Sequence, residues 1–183
     1  MELKERLRQI LKERSYEEGD FLLSSGKRSS FYIDAKQTTL TPEGAYLCGK
    51  LFYQMIKNAN EKIEAIGGPT LGADPIVTAV SLISYLEGDP LYAFIIRKEP
   101  KKHGKGLWIE GDKALREGMK VAVVEDVVTT GATLLKAIEV CENFGLRVVL
   151  AMALIDREEG ARELLQKKGY EFQSLFRRSE LVG

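Results

Sequence analysis

The strongest constraint on the fold is an alternation of short apolar runs with longer amphipathic segments, from about residue 63 onward. The runs have the length of strands, and the segments between them have the 3.6-residue spacing of helices. This alternation predicts right-handed β–α–β units on a largely parallel sheet, where ligands bind at the carboxyl ends of strands. The predicted strands are 63–66, 91–96, 120–124, 147–155 and 170–175, and the predicted helices are 73–86, 133–144 and 158–168.

The preceding residues follow a different pattern. Apolar residues at helical spacing predict a helix over 2–13. Two short apolar runs, 21–23 and 31–33, flank a polar turn and predict a hairpin or a small flap. Thr41 can cap a second long helix, and Pro42 suits its first position.

Composition narrows the class of protein. The chain is 44% hydrophobic and 30% charged, with a formal net charge of zero, which is typical of a globular protein without a general attraction to nucleic acid or anionic membranes. Cys48 and Cys141 form no CxxC pair, so a disulfide framework and a structural zinc site are unsupported. No apolar run approaches the ~18 residues of a membrane span. We therefore expect a cytoplasmic protein.

The most informative segment for function is 121–133, in which an apolar strand leads into two acids, a threonine-rich loop and a helix. Gly131 lets the backbone approach an anion closely, and the free N–H groups that begin the helix attract the same anion. Glu125 and Asp126 can accept hydrogen bonds from vicinal hydroxyls or help to hold a metal. The pattern predicts a sugar-phosphate site. The alternative is an ordinary strand–loop–helix connection with two solvated acids.

This segment resembles the signature of the type I phosphoribosyltransferases, which bind 5-phosphoribosyl-1-pyrophosphate (PRPP). The resemblance implies an α/β fold with a mainly parallel sheet flanked by helices and a small N-terminal hood. It implies one domain over residues 1–183, with a hood of about 1–40 plus the C-terminal strand and a core of about 41–170. Asp126 would be catalytic. The implied PRPP-binding residues are Glu125, Asp126, Val127, Val128, Thr129, Thr130, Gly131, Ala132 and Thr133.

A basic segment, 97–106, carries five cations and one anion directly after a predicted strand. Such charge could stabilise a pyrophosphate leaving group, but composition alone fits a solvated loop or a nucleic-acid patch as well. The segment is similar to the mobile catalytic loop of orotate-specific phosphoribosyltransferases, which implies a homodimer whose loops reach the neighbouring subunit. The implied PRPP contacts are Arg97, Lys98, Lys101 and His103, of which Lys101 and His103 would be catalytic.

Two further segments bear on the acceptor base. Arg157 follows a predicted strand, where a guanidinium can grip a carboxylate with two parallel hydrogen bonds. A salt bridge with a neighbouring acid is the alternative. Residues 25–34 resemble the family's N-terminal segment, so that Tyr32 and Ile33 are candidates for the base pocket; core packing in a hairpin is the alternative. The implied orotate-binding residues are Thr129, Arg157, Tyr32 and Ile33.

Residues 67–75 match the family's pyrophosphate loop, in which Thr70, Leu71 and Gly72 would offer backbone N–H groups to phosphate oxygens. Many relatives have a lysine where this chain has Gly72, and another where it has Ser24. The sequence 71–75 also looks like a variant loop of one branch of the family. We therefore interpret both departures as a subgroup trait.

The resemblance implies transfer of ribose 5-phosphate from PRPP to orotate, giving orotidine 5′-monophosphate and pyrophosphate. Mg²⁺ would be held mainly through PRPP, without a direct protein ligand. A purine or xanthine phosphoribosyltransferase is the nearest alternative, and the basic segment and Arg157 argue against it. A PRPP-sensing regulator that binds nucleic acid is a second alternative, and the zero net charge argues against that.

Overall fold

The computed structural model describes residues 2–22, 28–100 and 108–182. Its strands are β1 (Tyr16–Leu22), β2 (Arg28–Ile33), β3 (Ala65–Pro69), β4 (Tyr92–Ile96), β5 (Ile109–Glu110), β6 (Lys120–Val128), β7 (Arg147–Asp156) and β8 (Phe172–Arg177). Its helices are α1 (Glu2–Arg14), α2 (Lys36–Thr39), α3 (Pro42–Lys57), α4 (Asp74–Leu86), α5 (Ala132–Asn143), α6 (Ala161–Lys167) and α7 (Arg178–Leu181). A 3₁₀ turn spans Asp112–Ala114.

The central sheet has the strand order β5-β4-β3-β6-β7-β8. Neighbouring strands are parallel except at β5, which runs antiparallel to β4. The predicted parallel sheet is therefore confirmed. Because the parallel strands share one direction, their carboxyl ends lie at one edge of the sheet, where the loops after β3, β4, β6 and β7 meet.

Side chains alternate between two apolar cores along the buried part of the sheet. In β6, Val121 and Val123 belong to one core with α5 and α6, whereas Ala122 and Val124 belong to the other with α1, α3 and α4. A strand buried on both faces reads as a continuous apolar run, which explains why its sequence shows no polar alternation. No helix in the described ranges is long and apolar enough to cross a membrane.

The N-terminal region forms a small antiparallel sheet of β1 and β2, separate from the main sheet. Helix α1 buries Leu7 and Leu11 in the same core as Phe31 and Ile33 of β2, and α7 packs against it. β8, the C-terminal strand that the resemblance assigns to the hood, pairs in parallel with β7 of the main sheet. Thr41 caps α3, accepting a hydrogen bond from the Gly44 N–H (3.1 Å).

Several element boundaries differ from those that the sequence predicts. β6 continues to Val128 instead of ending at residue 124, because its pairing with β7 extends through Val128 opposite Asp156. The two acids thus lie inside the strand rather than after it. α6 begins at Ala161 rather than residue 158, because Gly160 (φ 105°) interrupts helical geometry. The short elements β5, α2 and α7 were not predicted.

Candidate active site

Backbone hydrogen bonds join the loops at the carboxyl edge of the sheet. The Thr70 N–H, just after β3, donates to the Ile96 carbonyl at the end of β4 (2.9 Å). The Arg157 N–H, just after β7, donates to the Val128 carbonyl at the end of β6 (2.9 Å). The segments that the sequence singled out separately are therefore held side by side, in fixed register.

The loop between β6 and α5 is only three residues long, from Thr129 to Gly131. Gly131 has φ 84°, and a Cβ there would lie 3.1 Å from the Cα of Ala161, so both the backbone angle and the close approach of α6 favour glycine. Thr130 and Thr133 are exposed beside the first turn of α5. Exposed hydroxyls therefore lie next to the free N–H groups of the first turn, a combination that suits a phosphate.

Glu125 and Asp126 lie in β6 immediately before this loop, where they are partly buried. Burial, and to a smaller extent the neighbouring Asp126 carboxylate, raises the pKa of Glu125 to about 8. Burial also raises the pKa of Asp126, although its hydrogen bond from the Val127 N–H (2.9 Å) opposes the shift. Two acids held in a poorly solvated place favour a ligand that brings hydroxyl donors or a cation.

The loop after β3 touches these acids directly. A Cβ built on Gly72 would lie 2.2 Å from Oδ1 of Asp126 and 2.3 Å from its Cγ. The Asp126 carboxylate therefore fills the space that a side chain at position 72 would need. Within the loop, the Thr70 hydroxyl donates to Asp74 Oδ2 (2.9 Å), and the Thr70–Leu71 peptide bond is cis.

A cavity of about 280 Å³ lies between this loop and the start of α5. Thr70 and Thr133 line it together with Arg97 and Lys98, the first two residues of the basic segment. Arg97 is fixed by Glu110 of β5, with 2.8 Å between Nη1 and Oε1. The structure thus brings two of the predicted cations next to both predicted phosphate-binding loops.

Arg157 is nearly buried, with 9% of its side chain exposed. Its Nε donates to Glu159 Oε1 (2.8 Å), and its guanidinium carbon lies 4.5 Å from the centre of the Phe31 ring. The salt bridge considered from the sequence is therefore present, and it engages Nε. The terminal nitrogens form a planar pair of donors that matches a carboxylate.

Strand alternation separates the two hairpin residues that the sequence proposed for the base pocket. Ile33 is buried in the core, whereas Tyr32 is 44% exposed on the opposite face of β2 and packs against Phe21 with 5.6 Å between ring centres. Sequence reasoning missed Phe31, which lies on the Ile33 face and contacts Arg157. Only the tertiary contact distinguishes Phe31 from other core aromatics.

Sequence reasoning also missed an ion pair at the end of the hairpin. Lys36 Nζ lies 2.6 Å from Asp34 Oδ1. Burial acts to raise the pKa of Asp34, but hydrogen bonds from Lys36 and Gln37 outweigh it and lower that pKa. Lys101, His103 and Ser24 lie outside the described residues. Their roles stay predictions.

Comparison with known proteins agrees with this geometry. Residues 35–173 match the model of the phosphoribosyl transferase domain family. The chain is 48% identical to an orotate phosphoribosyltransferase of Aquifex aeolicus over 98% of this chain and 97% of that protein. Two structures of the Mycobacterium tuberculosis H37Rv orotate phosphoribosyltransferase match as well. The first matches with a TM-score of 0.86 and 32% identity over 99% of each chain. The second, in complex with PRPP, matches with a TM-score of 0.80 and 31% identity over 98% of each chain.

The fold and site thus define a type I phosphoribosyltransferase, as the resemblance implied. The chain belongs to the phosphoribosyltransferase family and, within it, to the orotate phosphoribosyltransferases.

Replacing Glu125 with glutamine is expected to stabilise the free protein in alkaline solution. The ordinary pKa of 4.5 rises to about 8 on folding, so the folded state binds more protons between these values and stability falls as pH rises through that window. Glutamine has no charge to bury. We expect a gain of a few kcal/mol above pH 8 that vanishes near pH 4.5.

Thermal unfolding between pH 5 and 9 measures this difference, with the exposed Glu163→Gln as the matched control. A Glu125→Gln variant whose melting temperature differs from the parent by the same amount at every pH would contradict the assigned burial effect.

Proposed function

We propose that the chain transfers ribose 5-phosphate from PRPP to N1 of orotate, releasing orotidine 5′-monophosphate and pyrophosphate, a step in the de novo synthesis of pyrimidine nucleotides. One observation carries the proposal: the start of helix α5, two partly buried acids and a buried arginine lie at neighbouring strand ends. The names of the relatives support the same activity.

PRPP has three parts, and the site offers a different chemistry to each. The Thr129–Thr133 segment would bind the 5-phosphate through N–H and hydroxyl donors. Glu125 and Asp126 would accept hydrogen bonds from the ribose hydroxyls. The Thr70–Gly72 loop would hold the pyrophosphate, with Arg97 and Lys98 beside it and Lys101 and His103 closing over it.

The reaction needs positioning and charge stabilisation rather than a protein nucleophile. The bond between ribose C1 and a pyrophosphate oxygen breaks with its electron pair on oxygen. N1 of orotate then bonds to C1 and gives up its proton, which the released pyrophosphate or water can accept. Positive charge develops on the ribose as negative charge grows on the pyrophosphate. Fixed cations near the leaving group therefore lower the barrier, because their attraction is strongest in the transition state.

Magnesium fits the donors present. Within the described ranges, no three acidic, histidine or cysteine side chains converge as a metal cage. We infer that PRPP oxygens would supply most ligands, with Glu125 and Asp126 close enough to contribute through ribose hydroxyls or water. The ion would neutralise charge on the leaving group. Burial raises the pKa of both acids, and a nearby cation would lower these pKa values again by favouring the ionised forms.

Orotate carries a carboxylate, and Arg157 is a nearly buried cation that lies over the Phe31 ring of the hood. Phe31 packs against the guanidinium and restricts its orientation. The hydrogen bond between Nε and Glu159 fixes the plane of the group, leaving Nη1 and Nη2 for a bidentate contact. Purine bases have no carboxylate, so this arrangement favours orotate.

A homodimer is supported by an apolar stripe on α4. Leu82, Tyr85 and Leu86 recur at helical spacing and are 59%, 73% and 70% exposed. Leu71, in the loop just before α4, is 62% exposed. Exposed apolar surface of this kind is typical of protein interfaces. A second copy packed there would lie beside the pyrophosphate loop, where its own basic segment could reach the site.

A cytoplasmic location is also proposed. Cys48 and Cys141 are buried free thiols, which suits a reducing compartment. The substrates of the proposed reaction are phosphorylated or anionic metabolites, which are retained inside cells.

The activity is tested by mixing the protein with PRPP, Mg²⁺ and one candidate base at a time. We expect orotate absorbance to fall only when all components are present, with no reaction of adenine, guanine or xanthine. Consumption of a purine in place of orotate would support the purine alternative. Binding of PRPP without turnover of any base would support a PRPP-sensing protein.

Arg157→Gln should raise the KM for orotate by roughly ten- to hundredfold, the scale of losing charged hydrogen bonds. The KM for PRPP should change little, because the variant keeps the Thr129–Thr133 segment and both acids. Steady-state kinetics with each substrate varied separately measures the two KM values. Arg147→Gln is the matched control, since Arg147 forms an exposed ion pair with Glu61 at the other end of β7. Equal rises in both KM values would contradict the orotate contact.

Sharing of the basic loop is tested with mixed dimers of Lys101→Ala and Asp126→Asn chains, each inactive alone. If loops cross between subunits, every mixed dimer contains one intact site, and a random mixture should regain about a quarter of parental activity. Adding Tyr85→Glu to both chains, to disrupt the α4 stripe, should abolish that recovery. Mixed dimers, shown by mass to have formed, that stay inactive would rule out loop sharing.

A further inference from the structure

The loop assigned to pyrophosphate has no cation of its own. Residues 67–75 include neither lysine nor arginine, and their one charged side chain is the acid Asp74. Pyrophosphate carries several negative charges at neutral pH, and charged donors bind such groups more strongly than amides do. Positive charge near this loop therefore has to come from other elements of the fold.

Position 72 itself leaves no room for a charged side chain. The Asp126 carboxylate occupies the space beside Gly72, with 2.2 Å between Oδ1 and a Cβ built there. The contact also places Asp126 at the boundary between the proposed ribose and pyrophosphate positions. A cation that faces Asp126 is therefore close to the pyrophosphate as well.

Lys36, a cation of the hood, lies within electrostatic range of Asp126. Alternation along β2 directs Tyr32 away from the core that buries Phe31 and Ile33, and Asp34 follows directly after the strand. Asp34 then holds the Lys36 ammonium at 2.6 Å. The charge of Lys36 acts to lower the pKa of Asp126 against the effect of burial, and that of Asp126 acts to raise the pKa of Lys36, so the ammonium lies within electrostatic range of that carboxylate.

Asp34 holds the Lys36 ammonium but leaves some of its hydrogen-bond donors available. The Lys36 side chain is 35% exposed, and that of Asp34 is 20% exposed, so both groups are partly shielded from solvent. An ammonium has three donor hydrogens, and the ion pair with Asp34 occupies one direction. The remaining donors can reach an anion without breaking that pair.

We propose, resting on the PRPP-binding role assigned above, that Lys36 binds the pyrophosphate group of PRPP. It supplies from the hood the positive charge that the 67–75 loop lacks. Asp34 is its positioning residue, since it holds the ammonium at 2.6 Å. The hood thereby contributes to the leaving-group side of the site, in addition to the base side where Phe31 meets Arg157.

Isothermal titration of the full chain with three probes tests this role: PRPP, pyrophosphate with Mg²⁺, and ribose 5-phosphate. Lys36→Met should weaken PRPP and pyrophosphate binding about tenfold or more, the scale of a charged hydrogen bond, and ribose 5-phosphate by less than about twofold. Lys36→Arg should keep most of the affinity. Lys57→Met is the matched control, because Lys57 forms an equivalent ion pair with Asp89 far from the site, at 2.5 Å.

The outcomes separate this proposal from the assigned function. A parent protein that binds none of the probes would refute the PRPP-binding role itself. A parent that binds PRPP while Lys36→Met binds pyrophosphate equally well would overturn only the role of Lys36. Equal weakening of ribose 5-phosphate, or a lower melting temperature with loss of all three ligands, would show that Lys36 acts through Asp126 or through folding, and would also overturn it.

Discussion

The pairing of β6 with β7 is the interaction on which the site depends. It continues in parallel register to Val128 and Asp156, and the Arg157 N–H extends it by one more hydrogen bond to the Val128 carbonyl. This ladder keeps two adjacent acids in extended conformation inside a sheet. It also sets the threonine loop and Arg157 side by side, so that a sugar phosphate and a carboxylate-bearing base can be bound at once.

The same arrangement has an electrostatic cost. Glu125 and Asp126 are removed from water next to each other, and the pKa of Glu125 rises to about 8 as a result. A fold selected only for stability would avoid two buried acids in sequence. The proposed function accounts for them, since hydroxyls or a cation of the ligand would replace the water that the two acids lose on folding.

The hood approaches the site through interactions between residues that are far apart in the sequence. Phe31 packs against Arg157, and the charges of Lys36 and Asp126 act on each other, although more than a hundred residues separate Phe31 from Arg157 and about ninety separate Lys36 from Asp126. Both interactions depend on burial of α1 and β2 in the core that they share with α3 and α4. Hood and core are therefore packed together as one unit.

Local sequence determined the parallel sheet, the strand-to-helix loops and the character of the 121–133 segment, because periodicity, glycine and adjacent acids act over a few residues. It did not determine where β6 ends, since the acids stay in the strand only through pairing with β7. Nor could it choose Phe31 over its neighbours, or reveal that Asp126 fills the space beside Gly72. Those features arise from contacts between segments far apart in the chain, and only the tertiary structure brings those segments together.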